Sequence, residues 1–102
     1  MRGYKIMRYD SARRRMISLA NARLSWPIDV GVWIEPPPPG LFLSPNRQYV
    51  IDYYGSGGAA EGADEVLLTF EFDPREITSG NLADREPEIA VRRARLIDFE
   101  VL

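Results

Sequence analysis

A chain of 102 residues with 15 acidic and 13 basic side chains, net charge −2, has room for one domain and carries no dominant positive field, so nucleic-acid binding driven by charge alone is not indicated. It contains neither cysteine nor histidine, which removes disulfides, thiolate nucleophiles, the usual zinc ligand sets and the serine–histidine pairing of hydrolases. Chemistry on this chain has to run on carboxylates, hydroxyls, lysine and arginine, without a metal. No apolar run approaches the roughly 20 residues of a membrane span, and the first residues lack an apolar leader, so the expectation is a cytoplasmic protein without a membrane partner.

In chain order, Gly3 to Tyr9 reads as a strand, with Tyr4, Ile6 and Arg8 on one face and Lys5, Met7 and Tyr9 on the other. Asp10-Ser11 signals a turn, and Arg14 to Leu19 forms a second strand that makes a hairpin with the first. Asp29 to Glu35 alternates, with Val30, Val32 and Ile34 on one face and Trp33 on the other. Pro36 to Pro39 is a stiff spacer unsuited to a sheet interior. Leu41-Phe42-Leu43 is a short buried strand. Ser44 and Pro45 then suit an N-cap and a first helical position, opening a helix to Tyr54 with Tyr49, Val50, Tyr53 and Tyr54 on one stripe.

Residues 55–64, GSGGAAEGAD, form a flexible connection. Glu65 to Asp73 is the clearest strand, with Val66, Leu68, Phe70 and Phe72 facing a core. Thr78 to Pro87 reads as irregular, Glu88 to Val91 as a strand, and Arg95 to Leu102 as a last one. Strands interrupted by one helix argue against parallel crossovers. The expected fold is therefore a single α+β domain over residues 1–102, with a mixed or antiparallel sheet of about six strands and one main helix. One helix cannot cover both faces of such a sheet, so the sheet must bend or split, leaving a cleft.

Three segments carry chemical potential. Glu86 and Glu88 flank Pro87 at the start of a strand, and side chains two apart in a strand point the same way. Such a pair can divide labour between deprotonating a nucleophile and stabilising a developing cation. The segment from Gly40 to Ser44 leads into the tyrosine-rich helix, where backbone N–H groups, a hydroxyl and aromatic rings can hold a planar anionic ligand. Tyr4, Lys5 and Arg8 put a cation on the first strand, suited to a phosphate. Each segment also has a purely structural reading as solvated or core residues.

The order of GYKIMRYD at 3–10, GLFLSPNRQYVIDYY at 40–54 and EPEIAV at 86–91 resembles the ADP-ribosyltransferase fold. That family has a cation on an early strand, a glycine–aromatic–serine strand running into a tyrosine-bearing helix, and a late Glu-x-Glu at a strand start. The resemblance implies NAD as substrate and a macromolecular acceptor. Glu88 would be the catalytic glutamate, bonding the nicotinamide ribose and stabilising the oxocarbenium-like state. Glu86 would position or deprotonate the acceptor, and Ser44 would orient the catalytic carboxylate. Tyr49 or Tyr53 would stack near nicotinamide, and Arg8 or Lys5, beside Tyr4, would contact ribose or phosphates.

Two other readings compete. Small, acidic, cysteine-free chains are common among phage and mobile-element products that bind and inhibit host machinery, anti-CRISPR proteins included. Trp26, Trp33 and the arginine clusters at 13–15 and 92–95 are the anchors such a protein partner would meet. Alternatively, an unpaired C-terminal strand ending in Phe99-Glu100-Val101-Leu102 would join copies into a homodimer or larger assembly.

Overall fold

A computed structural model describes residues 1–54, 64–85 and 87–102. The flexible connection expected over 55–64 lies outside them except for Asp64, and Glu86 lies outside them too. The described residues form nine strands and one α-helix: β1 (Arg2–Asp10), β2 (Arg15–Ile17), β3 (Ser25–Pro27), β4 (Trp33–Ile34), β5 (Leu41–Leu43), α1 (Arg47–Tyr54), β6 (Asp64–Glu71), β7 (Ile77–Ser79), β8 (Ile89–Val91) and β9 (Ala94–Val101). The α+β class and the split sheet hold. Every pairing is antiparallel, within a six-stranded sheet ordered β3-β2-β1-β6-β9-β4 and a three-stranded sheet ordered β5-β8-β7. No described helix is long and apolar enough to cross a membrane.

The period of two in β1 and β6 decides what covers each face of the large sheet. Their register pairs Gly3 with Phe70, Lys5 with Leu68 and Met7 with Val66. This face, carrying fully buried Met7, Val66, Leu68 and Phe70, packs on Leu41, Leu43, Ile89 and Val91 of the small sheet. The alternate face carries Ile6 and Leu67, which pack on Val50 of α1 with Tyr4, Tyr49, Ile51 and Tyr54 around them. Full burial of each such side chain contributes about 1.5–3 kcal/mol. The small sheet and the helix thus divide between them the two faces that a lone helix could not cover.

The two sheets diverge along one edge of β1. At Arg8 to Asp10 that edge pairs with β2. Four residues earlier, Tyr4 exchanges both backbone bonds with Ser44, at 2.7 and 3.1 Å. Peptide groups in an antiparallel ladder alternate in direction, so those of Ile6 also point away from β6. They face the fork between β2 and Ser44, where no described strand pairs with β1.

Several elements differ from their sequence signals. The second strand shrinks to Arg15–Ile17 because Arg14 takes a left-handed φ of 53° in the turn. The alternation from Asp29 to Glu35 yields only two strand residues. Gly31 turns the chain at φ 95°, leaving Val30 in solvent while Ile34 is buried. Ile77–Ser79, within and beside a stretch read as irregular, is an edge strand, and Ser25–Pro27 adds a strand with no clear sequence pattern. Strand β9 is not unpaired: it lies along β6, with Val101 opposite Val66.

The helix cap is Asn46, whose side chain accepts from the Tyr49 N–H at 3.0 Å and whose carbonyl accepts the first helical bond from Val50. Ser44 instead remains in the strand ladder, and Pro45 precedes the cap.

Gly40 ends the proline run at φ 115°, against the Val91 carbonyl, where an added Cβ would overlap that oxygen. Gly40→Ala is therefore expected to destabilise the fold by about 2 kcal/mol or more, read as a lowered denaturation midpoint at unchanged slope.

Candidate functional site

The fork beside β1 is a cleft of about 310 Å³ lined by Tyr4, Lys5 and Ile6 of β1, Leu19 and Ala20 beyond β2, Phe42, Leu43 and Ser44 at β5, Val50 and Tyr54 of α1, and Glu88 before β8. That volume sits at the lower end of small-molecule sites. The walls are mostly apolar, with a hydroxyl, an amine, a phenol and a carboxylate among them. Three distant segments therefore meet around one hollow.

The polar centre is a direct bond: the Tyr54 hydroxyl donates to Glu88 Oε1 at 2.6 Å. Burial and then this carboxylate push the phenol's pKa well above its ordinary value. Ser44 is buried, and its Oγ accepts from the Asn46 N–H at 3.1 Å. The hydrogen bond to Glu88 accordingly comes from Tyr54 rather than from Ser44.

Lys5 occupies the β1 face that otherwise carries buried Gly3 and Met7. Its ammonium makes no hydrogen bond or close ion pair with the described residues. Desolvation lowers its pKa, and the negative charge of Glu88 opposes that shift. Among the described residues no group of three or more carboxylates could hold a metal ion.

Of the residues singled out in the sequence, the cleft gathers Tyr4, Lys5, Ser44 and Glu88. Arg8 is on the same strand but sits where β2 pairs, outside the cleft lining. Tyr49 and Tyr53 are likewise outside the lining. They stack with Tyr54 in an aromatic cluster, with ring centroids 4.8–6.5 Å apart, and Tyr53 is largely exposed. Phe42 and Leu43 come from the 40–44 segment read as a candidate, whereas Tyr54 and Leu19 were not named as site residues. The signal for Tyr54 was its spacing of four from Val50, which puts both on one helix face.

A second hollow, open and polar, lies on the far side of Tyr4 and is lined by Arg2, Tyr4, Arg47, Thr69, Ile97 and Asp98. Arg47 there is bonded to Glu100 at 3.0 Å. Elsewhere, Trp26 is half-buried against the core, whereas Trp33 is 57 % exposed with the Arg93 guanidinium 5.2 Å over its ring.

No protein-family model, curated protein or solved structure matches this chain.

Two outcomes follow from the site's electrostatics. Lys5→Met keeps the apolar stem and removes a poorly solvated charge that has no close partner among the described residues, so it should stabilise the fold by about 1 kcal/mol, read as a raised melting temperature. Tyr54 has a folded pKa above its unfolded one. Its stabilising contribution is complete below about pH 10 and is lost as pH rises toward the folded value. The melting-temperature gap between the parent chain and Tyr54→Phe should therefore narrow from pH 8 to pH 11.

Proposed function

We propose that the cleft is an ADP-ribosyl-transfer site that takes NAD and passes ADP-ribose to a macromolecular acceptor. The observation that carries this reading is that Glu88 and Ser44, from segments 44 residues apart, line one hollow together with Lys5 and Tyr4 of the first strand. Had those side chains faced opposite surfaces, nothing of it would survive.

The chemistry needs a carboxylate beside a ribose whose bond to nicotinamide is breaking. Glu88 supplies it at the cleft, and the Tyr54 hydroxyl fixes its orientation. Nicotinamide is flat and largely apolar, with a carboxamide that both donates and accepts. Apolar walls at Phe42, Leu43 and Val50, and the outward N–H and C=O of Ile6, match both properties. The diphosphate, for which the resemblance implies Arg8 or Lys5, is better served by Arg2 and Arg47 in the hollow beyond Tyr4.

A second reading has its own observation. The exposed Trp33–Arg93 pair is the kind of anchor found at the centre of protein interfaces. A chain without transferase activity would use it to bind and block a protein partner, and loss of that partner from a Trp33→Ala pull-down would favour this reading.

Incubation with NAD labelled on the adenosine side should give labelled acceptor in a lysate and free nicotinamide. Glu88→Gln should lower both by about a hundredfold or more. Full labelling by that variant would remove Glu88 from the chemistry. Absence of both products from the parent chain would end the transferase reading.

A further inference from the structure

Of the 13 cationic side chains, twelve are arginine, and the single lysine is Lys5. Arginine remains charged at any ordinary pH, whereas a lysine amine can lose its proton and attack a carbonyl. The one side chain capable of amine chemistry thus stands in the cleft, while charges that need only solubility or ion pairing are arginines. Six different arginines make ion pairs with carboxylates within 4 Å, and a seventh, Arg93, shares Glu76 with Arg92. Lys5 makes none with the described residues.

The position of Lys5 is also at odds with its surroundings. On β1 it shares a face with Gly3 and Met7, both buried, and its cross-strand neighbour is Leu68, which has no exposed surface. Binary patterning calls for an apolar residue there, and departures of this kind occur where function demands them. Lys5 lines the cleft together with the apolar Leu19, Phe42 and Leu43 and with the hydrogen-bonded Tyr54–Glu88 pair, whose carboxylate acts electrostatically on the amine.

We propose that Lys5 is a carbonyl-trapping amine, condensing with an aldehyde or ketone that has a small apolar body seated in the cleft. The neutral amine nitrogen attacks the carbonyl carbon, forming a C–N bond as the carbonyl π pair moves to oxygen. The oxygen takes up two protons, the equivalent of the two that leave nitrogen, and departs as water, leaving a C=N bond. Glu88 and the Tyr54 hydroxyl are the groups in the cleft that relay protons between nitrogen and oxygen. Apolar surroundings favour the amine form of Lys5 and admit the apolar body of the carbonyl compound. This activity requires no NAD, so it stands or falls separately from ADP-ribosyl transfer.

The test is reductive trapping with benzaldehyde and cyanoborohydride at pH 7, followed by intact mass and peptide mapping. The only other amine described is the Met1 terminus, whose N–H donates to the Phe72 carbonyl at 3.0 Å and which serves as an internal reference. Lys5 should acquire one benzyl group at least tenfold faster than the side-chain amine of N-acetyl-lysine. That excess should vanish in urea, and Tyr54→Phe should reduce the rate several-fold while the Met1 rate stays unchanged. Lys5→Arg should leave only the Met1 adduct. Labelling of Lys5 no faster than the free amino acid, labelling equally fast in urea, or a Tyr54→Phe rate equal to that of the parent chain would each overturn the proposal.

Discussion

The architecture depends on one pair of backbone hydrogen bonds. Tyr4 and Ser44 bind each other in both directions, joining the long central strand to the residue that follows β5. Among the described residues, this bridge adds a backbone link to the side-chain packing between the small sheet and the large one. With it, β1 is paired along one whole edge by β6 and at two separate points along the other, by β2 and by Ser44. A strand clamped at two points by partners that diverge must leave a gap between them. The cleft is that gap, and it exists because neither partner can extend past its own turn.

Much of the fold was legible because two long strands alternate cleanly. Val66, Leu68, Phe70 and Phe72 announced one buried face, and Tyr4, Ile6 and Met7 announced the sides of β1. Short strands were not legible. A strand of two or three residues, such as Trp33–Ile34 or Ser25–Pro27, has too few positions to display a period, and its pairing is imposed by neighbours distant in sequence. At Asp29 to Glu35 the pattern misled, because a single glycine at positive φ turns the chain within it. Ser44 and Asn46 are both good capping residues, and the choice between them was made by Tyr4, which holds Ser44 in the sheet.

The site was legible in part for a related reason. Tyr4, Lys5, Ser44 and Glu88, on or beside strands, were grouped through the order of motifs that carries the family resemblance, and they line one cleft. Arg8 could not be excluded without knowing that β2 covers the edge where it sits. Choosing among Tyr49, Tyr53 and Tyr54 required the rotation of α1 about its axis, which is set by Val50 packing on Ile6 and Leu67. The clearest clue to unusual chemistry, a lysine in a face of buried residues, became visible only when the opposing sheet was seen to cover that face.

The described helix is held at both ends by acids from other segments: Arg47 at its first turn by Glu100 of β9, and Tyr54 at its last described residue by Glu88, just before β8. Only Val50 along its length is fully buried. Any occupant that competes for Glu88 therefore releases the latch at the distal end of this wall. Occupancy and fraying of the terminal turn become thermodynamically linked. The observed affinity then contains the free energy of that released contact, and the wall's looseness is set by what the pocket contains.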